Sequence, residues 1–425
     1  VELWVRFRTH SSQPWTAWTF SQSGTSSPFT YTFNSLFQQG DGEYEFATVG
    51  IDTAGNHEAL PAVGDAAIHA GSYRVNDDTG NALHDDAVVT TGADGNVYAV
   101  WRDLRNSQTV GDIYFAKRNP TTGAWGPNER VDNASVGTNK PAIGVDAAGN
   151  VYVLWTDARN GNTDVWFSKR SAATGTWSAS VRVNDIATST AQYDARIAVL
   201  PSGLAVAVWT DLRGGKNHIY SARLAAGAST WSTNYKVTTD NGQSVKATPD
   251  VAIGSNGVAY AVWNATSGGT TSAWFASLPS GGTTWSSNTQ IATPVLSRTQ
   301  IAVDGAGALF AAFVHQSGSI AVRTRASGSG TWGGTTLFSV ATEPSIAARS
   351  TGVAYLVWNS GSIIYGSRYN PATQLWGNPE LVSPNDGSHY TPSVALTATD
   401  AIVASRTWDW RRATYDIRAH QVTVP

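Results

Sequence analysis

Cysteine and methionine are both absent from this chain of 425 residues. Without cysteine there are no disulfides, no thiolate metal sites and no cysteine nucleophile. Without methionine there is not even an initiator, so the chain reads as a processed or trimmed product. The lack of oxidisable sulfur suits an exposed, extracellular life. Charge is scarce too: charged residues make up 14%, the net charge is −3 and the pI is near 6.2. No basic run offers a surface to nucleic acid. No apolar run approaches the roughly 18 residues that cross a bilayer as a helix, and no signal peptide is present. The expectation is a secreted or cell-surface protein with no nucleic-acid partner, no membrane insertion and no cofactor.

Gly (41) and Trp (18) are plentiful instead, and they recur in a pattern. Residues 141–185 hold four short runs rich in Val, Ile, Tyr and Trp. Between them lie Asp146-Ala-Ala-Gly149-Asn150, a polar loop at 157–162, and Ala172-Ala-Thr-Gly175. This alternation predicts a four-stranded antiparallel meander. Such a unit cannot bury both its faces alone, and it repeats. Its second-strand Trp aligns with Trp101, Trp155, Trp209, Trp263, Phe313, Trp358 and a degenerate Ser405, at intervals of 45 to 54 residues. A second ladder marks the fourth strand: Trp125, Trp177, Trp231, Trp285, Trp332 and Trp376. Periods of this length with four strands each predict the blades of a β-propeller. Small first-strand residues (Ala142, Gly144, Ala252, Ala347) suit a crowded ring centre, and the Trp positions suit the wider gaps between blades.

The seventh unit begins at His389 and has only three strands. Its missing fourth should carry the Arg-Val-Asn/Asp ending seen at Arg130-Val131-Asp132 and Arg182-Val183-Asn184. That ending occurs once more, at Arg74-Val75-Asn76, so residues 65–77 are expected to complete blade seven and leave no open edge.

The first 63 residues differ. Val1, Leu3, Val5 and Phe7 alternate with polar residues, and 15–20 and 29–34 read as two further strands. A loop Leu36 and Gly leading to a strand-opening Tyr44 resembles the tyrosine corner of immunoglobulin-like and fibronectin type III sandwiches. The resemblance makes Tyr44 the start of strand F, 57–62 strand G and 1–8 strand C, with strands A and B missing. The expected fold is therefore all-β. A small, incomplete immunoglobulin-like sandwich at 1–63 precedes a seven-bladed propeller at 64–425, whose last blade an N-terminal strand closes. A sandwich short of two strands leaves an uncovered edge, which implies contact with other copies of the chain or with an upstream segment.

Candidate ligand-binding residues lie in the loops between second and third strands: Arg105, Arg159 and Arg213 in Trp-x-Asp-x-Arg copies, and Trp408, Trp410 and Arg411 in blade seven. A ring of guanidinium groups can bind carboxylate or sulfate. The competing reading is structural, with Asp ordering each loop and Arg pairing to the protein. The crossovers add His389 and Tyr390, an acid–base pair or a turn. The repeat Asp-x-x-Gly-Asn-x-Tyr-x-x-Trp-x-Asp-x-Arg at 146–159 resembles the degenerate Asp-box repeats of sialidase-like bacterial propellers. That resemblance implies the fold over about 65–425 but does not carry catalytic residues over. The propeller's only Glu residues are Glu129, Glu343 and Glu380, of which Glu343 alone is expected near a central site. No His pair has metal-ligand spacing. Two functions are expected. The first is a non-catalytic binding or assembly module. The alternative is a carbohydrate-active enzyme (hydrolase or lyase) or lectin using the propeller's top face and surface glycans.

Overall fold

The computed structural model describes residues 1–8, 13–25, 42–70, 72–134, 136–186, 190–239, 245–383, 389–409 and 412–424. Among the described residues the regular structure is all β apart from one 3-10 turn at Arg213–Gly215. Seven antiparallel sheets follow the N-terminal one among the described residues; sheets 1 to 5 each run as a meander from a first to a fourth strand, and sheet 6 adds a fifth, Glu380–Leu381, on its third. Their first strands are His84–Thr91, Asn139–Val145, Gln192–Val199, Val245–Ile253, Val295–Val303, Thr342–Ala348 and His389–Leu396. Each first strand packs on the next, and the last packs back on the first. The sheets therefore form a propeller-like ring.

The second strands fill the gaps between sheets. Trp101, Trp155, Trp209, Trp263, Phe313 and Trp358 are all essentially inaccessible to solvent. Trp155 packs with Tyr98, Val100 and Phe115 of the preceding sheet, and Trp209 with Leu154 and Val165 of the sheet before it. Because these strands are buried on both faces, they read as continuous apolar runs rather than as alternation. The second Trp ladder sits slightly earlier than expected. Trp125, Trp177 and Trp231 each bridge the end of a third strand, at Arg118, Arg170 and Leu224, and lie in the hairpin before the fourth strand.

The Arg-Val-Asn/Asp ending has a repeated physical purpose. The Val N–H donates to the third strand, and the next polar side chain replaces one more ladder bond. Thus Val131 N donates to Ile113 O (2.8 Å) while Asp132 Oδ1 accepts from Ile113 N (2.8 Å). Asn184 Oδ1 accepts likewise from Val165 N (2.9 Å). At the ring's seam, Val75 N donates to Ile417 O (2.8 Å) and Asn76 Oδ1 accepts from Ile417 N (2.8 Å). Tyr73–Arg74 is accordingly the fourth strand of sheet 7, paired with Ala419 and Arg418.

The segment 65–77 does not act as one strand, however. Ala66–Ala70 pairs with Gly42–Val49 in the N-terminal sheet, and only the residues with the strand-ending chemistry join sheet 7. That N-terminal sheet has the order Thr19–Ser23, Glu2–Arg8, Gly42–Val49, Ala66–Ala70. Val5, Phe7 and Tyr44 form its small core with Phe46. The segment 57–62, expected as strand G, makes only an isolated bridge from Ile51 to His57. The expected strand at 29–34 and Leu36 lie outside the described residues.

Candidate functional site at the channel mouth

Every first strand carries a bulge at the same place, between Asp85 and Val88 in sheet 1 and between Tyr390 and Ser393 in sheet 7. At six of these bulges a non-glycine residue is left-handed: Asp86, Lys140, Asp194, Thr248, Glu343 and Thr391, with φ between 46° and 54°. Arg298 holds the corresponding position in sheet 5. Bulges re-aim side chains and occur beside functional sites, and left-handed non-glycine residues persist only where the surrounding structure fixes them.

Here the bulges turn side chains toward a cavity of about 320 Å³ lined by the first strands of all seven sheets. The cavity is the central channel. Its wall is not repetitive. Two positions past the bulge the sheets place Val88, Ala142, Arg196, Asp250, Gln300, Ser345 and Ser393. Sheets 3 to 5 thus supply a cation, an acid and an amide where the others supply small or hydroxyl groups.

The charges are arranged unequally. Lys140 forms an ion pair with Asp194. Asp250 Oδ2 accepts from Ile301 N at 2.9 Å, and burial pushes its carboxyl above the usual Asp range, with Arg196 and Arg298 opposing. Desolvation lowers the Arg196 guanidinium, which donates to its neighbour's carbonyl, Ala195 O, at 2.9 Å. Arg298 is half-buried and has no hydrogen bond or ion pair to a described residue. Glu343 is exposed at the mouth, where one carboxylate oxygen accepts from Thr391 N (2.9 Å). The result is a channel in which Arg298 has no hydrogen-bond or ion-pair partner among the described residues, burial holds the Asp250 carboxyl above its usual range, and Asp86 and Glu343 supply further carboxylates.

The three Trp-x-Asp-x-Arg loops fold differently from an open guanidinium ring. Asp157 Oδ2 accepts from Trp155 Nε1 (2.9 Å) and from Arg159 Nη2 (2.6 Å). The Arg159 guanidinium lies 4.0 Å above the Trp166 ring and donates to Asn133 (2.7 Å), just past the fourth strand of the preceding sheet. Arg213 reaches Asp185 (3.1 Å) in the same way. Arg105 reaches Asp77 (2.7 Å), beyond the closing strand. Each Arg thus latches its sheet to the one before.

Of the blade-seven candidates, Trp410 and Arg411 lie outside the described residues. His389 is buried, with Nδ1 2.9 Å from Thr407 Oγ1 and its ring against His420. Tyr390 and Trp408 stand at the seam between sheets 7 and 1. The remaining propeller Glu residues sit on outer strands. Glu129 pairs with Arg170 (2.7 Å) and accepts from Trp177 Nε1 (3.0 Å), and Glu380 accepts from Tyr355 (2.6 Å).

One further cluster is visible only in three dimensions. Asp78, His84 and Asp103 bring ligand-type atoms within 4.8 Å of one another. His84 Nε2 lies 2.9 Å from Asp78 and 3.3 Å from Asp103, and Nδ1 lies 2.8 Å from the Tyr415 carbonyl. Both nitrogens face acceptors, so both donate and the ring is an imidazolium. Hydrogen bonds and charge from Asp103 and Asp78 overcome burial and push its pKa up to about 9. Arg74, Arg105 and Arg412 neutralise the carboxylates around it. This arrangement is an ion network that locks the seam. An imidazole with no free lone pair does not ligate a metal.

No protein-family model matches the chain, and no curated protein matches it in sequence. Solved structures do. The Hadza microbial sialidase Hz136 aligns at a TM-score of 0.51 and 12% identity, over 100% of this chain and 89% of its own. The GH93 α-L-arabinofuranosidase of Fusarium graminearum aligns at 0.51 and 12%, over 83% of this chain and 98% of its own. A PL25 ulvan lyase bound to -[GlcA(1-4)Rha3S]- aligns at 0.53 and 11%, over 81% and 94%. The chain shares the β-propeller fold of these proteins. These neighbours, all carbohydrate-active enzymes, support the carbohydrate-active alternative better than the non-catalytic module placed first. Reading the loops for repeated motifs missed the unequal channel wall. Its trace in the sequence is the departure of Arg196, Asp250 and Gln300 from the small residues that fill their register elsewhere.

Proposed function

We propose that the chain is a secreted, seven-bladed propeller that takes an acidic glycan at the mouth of its central channel and acts on it there. The single observation that carries this reading is the unequal channel wall, with Arg196, Asp250 and Arg298 on three successive sheets. A guanidinium with no hydrogen-bond or ion-pair partner among the described residues is the natural seat for a sugar carboxylate or sulfate. Arg298 takes that role, with Arg196 behind it. Asp250 is the proton donor, since burial favours its neutral form, and a raised carboxyl pKa is what a general acid needs near neutral pH. Glu343 is the second carboxylate that a hydrolase requires. The sialidase and the ulvan lyase among the structural neighbours are named for acidic glycans, which supports the choice of ligand class.

The test is a panel of sialyllactose, oligogalacturonides, ulvan and neutral arabinan, followed by calorimetry and by release of reducing or unsaturated ends. Acidic glycans should bind and arabinan should not. Arg298→Ala should weaken binding at least tenfold. Asp250→Asn should keep binding and abolish turnover. If arabinan binds as well as the acidic probes, or Arg298→Ala binds like the wild type, the reading is wrong.

A further inference from the structure

In sheet 1, Arg102 stands opposite Asp85 and donates to its carboxylate at 3.1 Å. The same cross-strand position in sheet 7 pairs Arg406 with Tyr390. An aromatic ring replaces the carboxylate, so the Arg406 guanidinium rests over rings, 4.4 Å from the Tyr415 centroid and 5.6 Å from that of Tyr390. Its Nε is buried and makes no hydrogen bond, and no described carboxylate lies within ion-pair distance of it.

Trp408, two residues on, shares this face of the sheet and lies opposite Tyr415 in register. Its indole meets the Tyr415 ring edge-on at 5.0 Å. Trp408 is 39% exposed, and among the described residues no other tryptophan is exposed. In a chain that buries indoles as inter-sheet filler, one left in water is unusual.

Ile402 and Ala404, on the same face, pack against Val89, Val97 and Trp101 of sheet 1. Arg406, Trp408, Tyr390 and Tyr415 therefore stand at the end of the seam between sheets 7 and 1. On one side of the seam Asp85 precedes the channel residue Asp86, and on the other Tyr390 precedes the channel residue Thr391. The seam is thus continuous with the channel mouth. Asp85 is hydrogen-bonded by Arg102 and acts on Arg406 only as a charge through space, which leaves Arg406 with no carboxylate in hydrogen-bond reach among the described residues.

We propose that this seam is a second saccharide subsite, which takes the acidic sugar adjacent to the one in the channel mouth. Its ring stacks on the Trp408 indole, and its carboxylate or sulfate pairs with Arg406. The inference rests on the reading of the channel mouth as a glycan site and adds that the ligand is an internal stretch of chain rather than a single terminal sugar. A flat, water-exposed indole offers a pyranose its C–H face, and a guanidinium held flat by aromatic rings is pre-organised for a bidentate anion.

The experiment measures binding of galacturonic acid and its linear tetramer, and of a glucuronate–rhamnose 3-sulfate disaccharide and tetrasaccharide, by calorimetry. The wild type should bind at least one tetrasaccharide about tenfold more tightly than its shorter counterpart. Trp408→Ala and Arg406→Gln should remove that gain and leave the shorter probe's affinity unchanged, with Trp408→Phe restoring part of it. Saturating tetrasaccharide should also protect Trp408 from oxidation by N-bromosuccinimide, mapped by peptide mass spectrometry. Equal affinity for short and long probes, or full tetrasaccharide affinity in Trp408→Ala, overturns the subsite while the channel reading stands. Binding of no probe at all overturns both. Loss of every probe in Arg298→Ala with the length dependence intact in Trp408→Ala separates the channel from the seam.

Discussion

Raising the pH through 9 should loosen the seam where the two ends of the ring meet. His84 is fully buried and, as an imidazolium, bonds Asp78, Asp103 and the Tyr415 carbonyl. These residues come from the closing segment, from sheet 1 and from the third strand of sheet 7. Its pKa stands at about 9 in the folded protein against the ordinary 6.5. A pKa raised by folding means that the charged form stabilises the native state. That contribution is present in full below about pH 6.5 and is lost as pH rises through about 9. At about 1.4 kcal/mol per pH unit, the difference corresponds to on the order of 3 kcal/mol. Urea unfolding from pH 6 to 10 measures it, with His84→Gln as the reference. Glutamine is a fair replacement because Gln192 holds the equivalent place in sheet 3, opposite Asp211. The gap in stability between wild type and variant should be on the order of 3 kcal/mol at pH 6 and should shrink toward pH 10. Over the same range the amide of Val75, bonded to Ile417 O, should exchange faster in the wild type. A gap that stays constant with pH would refute the imidazolium assignment.

Two more outcomes follow from the packing. Arg159→Ala should lower stability by about 1–3 kcal/mol through loss of the charged bonds to Asp157 and of the contact with Trp166. Asp157→Ala should cost more, because it leaves the buried Trp155 indole N–H unpaired, and differential scanning calorimetry ranks the two. A chain beginning at Ser72 should keep a cooperative unfolding transition, whereas one beginning at Asp78 lacks Tyr73–Arg74, bares the edge of Thr414–Thr423 and should aggregate on size-exclusion chromatography.

Much of the fold was legible in the chain itself. Strand periodicity, turn chemistry and the burial of strands on both faces are local properties, so the repeated meander announces itself residue by residue. Even the closing strand was readable, because Arg74-Val75-Asn76 carries the same ladder-ending chemistry as Arg130-Val131-Asp132. What precedes it was not. Ala66–Ala70 has no such signature, and its pairing with Gly42–Val49 appears only in the folded chain. The candidate site was the least legible part. Lys140, Arg196, Asp250 and Arg298 lie 48 to 56 residues apart on four different first strands, so no window of sequence joins them. Only closure of the ring brings them to one wall, where the bulges turn them toward a shared cavity and burial holds the Asp250 carboxyl above its usual range. The loop arginines show the reverse case. Arg105, Arg159 and Arg213 look like a site when read in line, and the sheets' packing makes them latches.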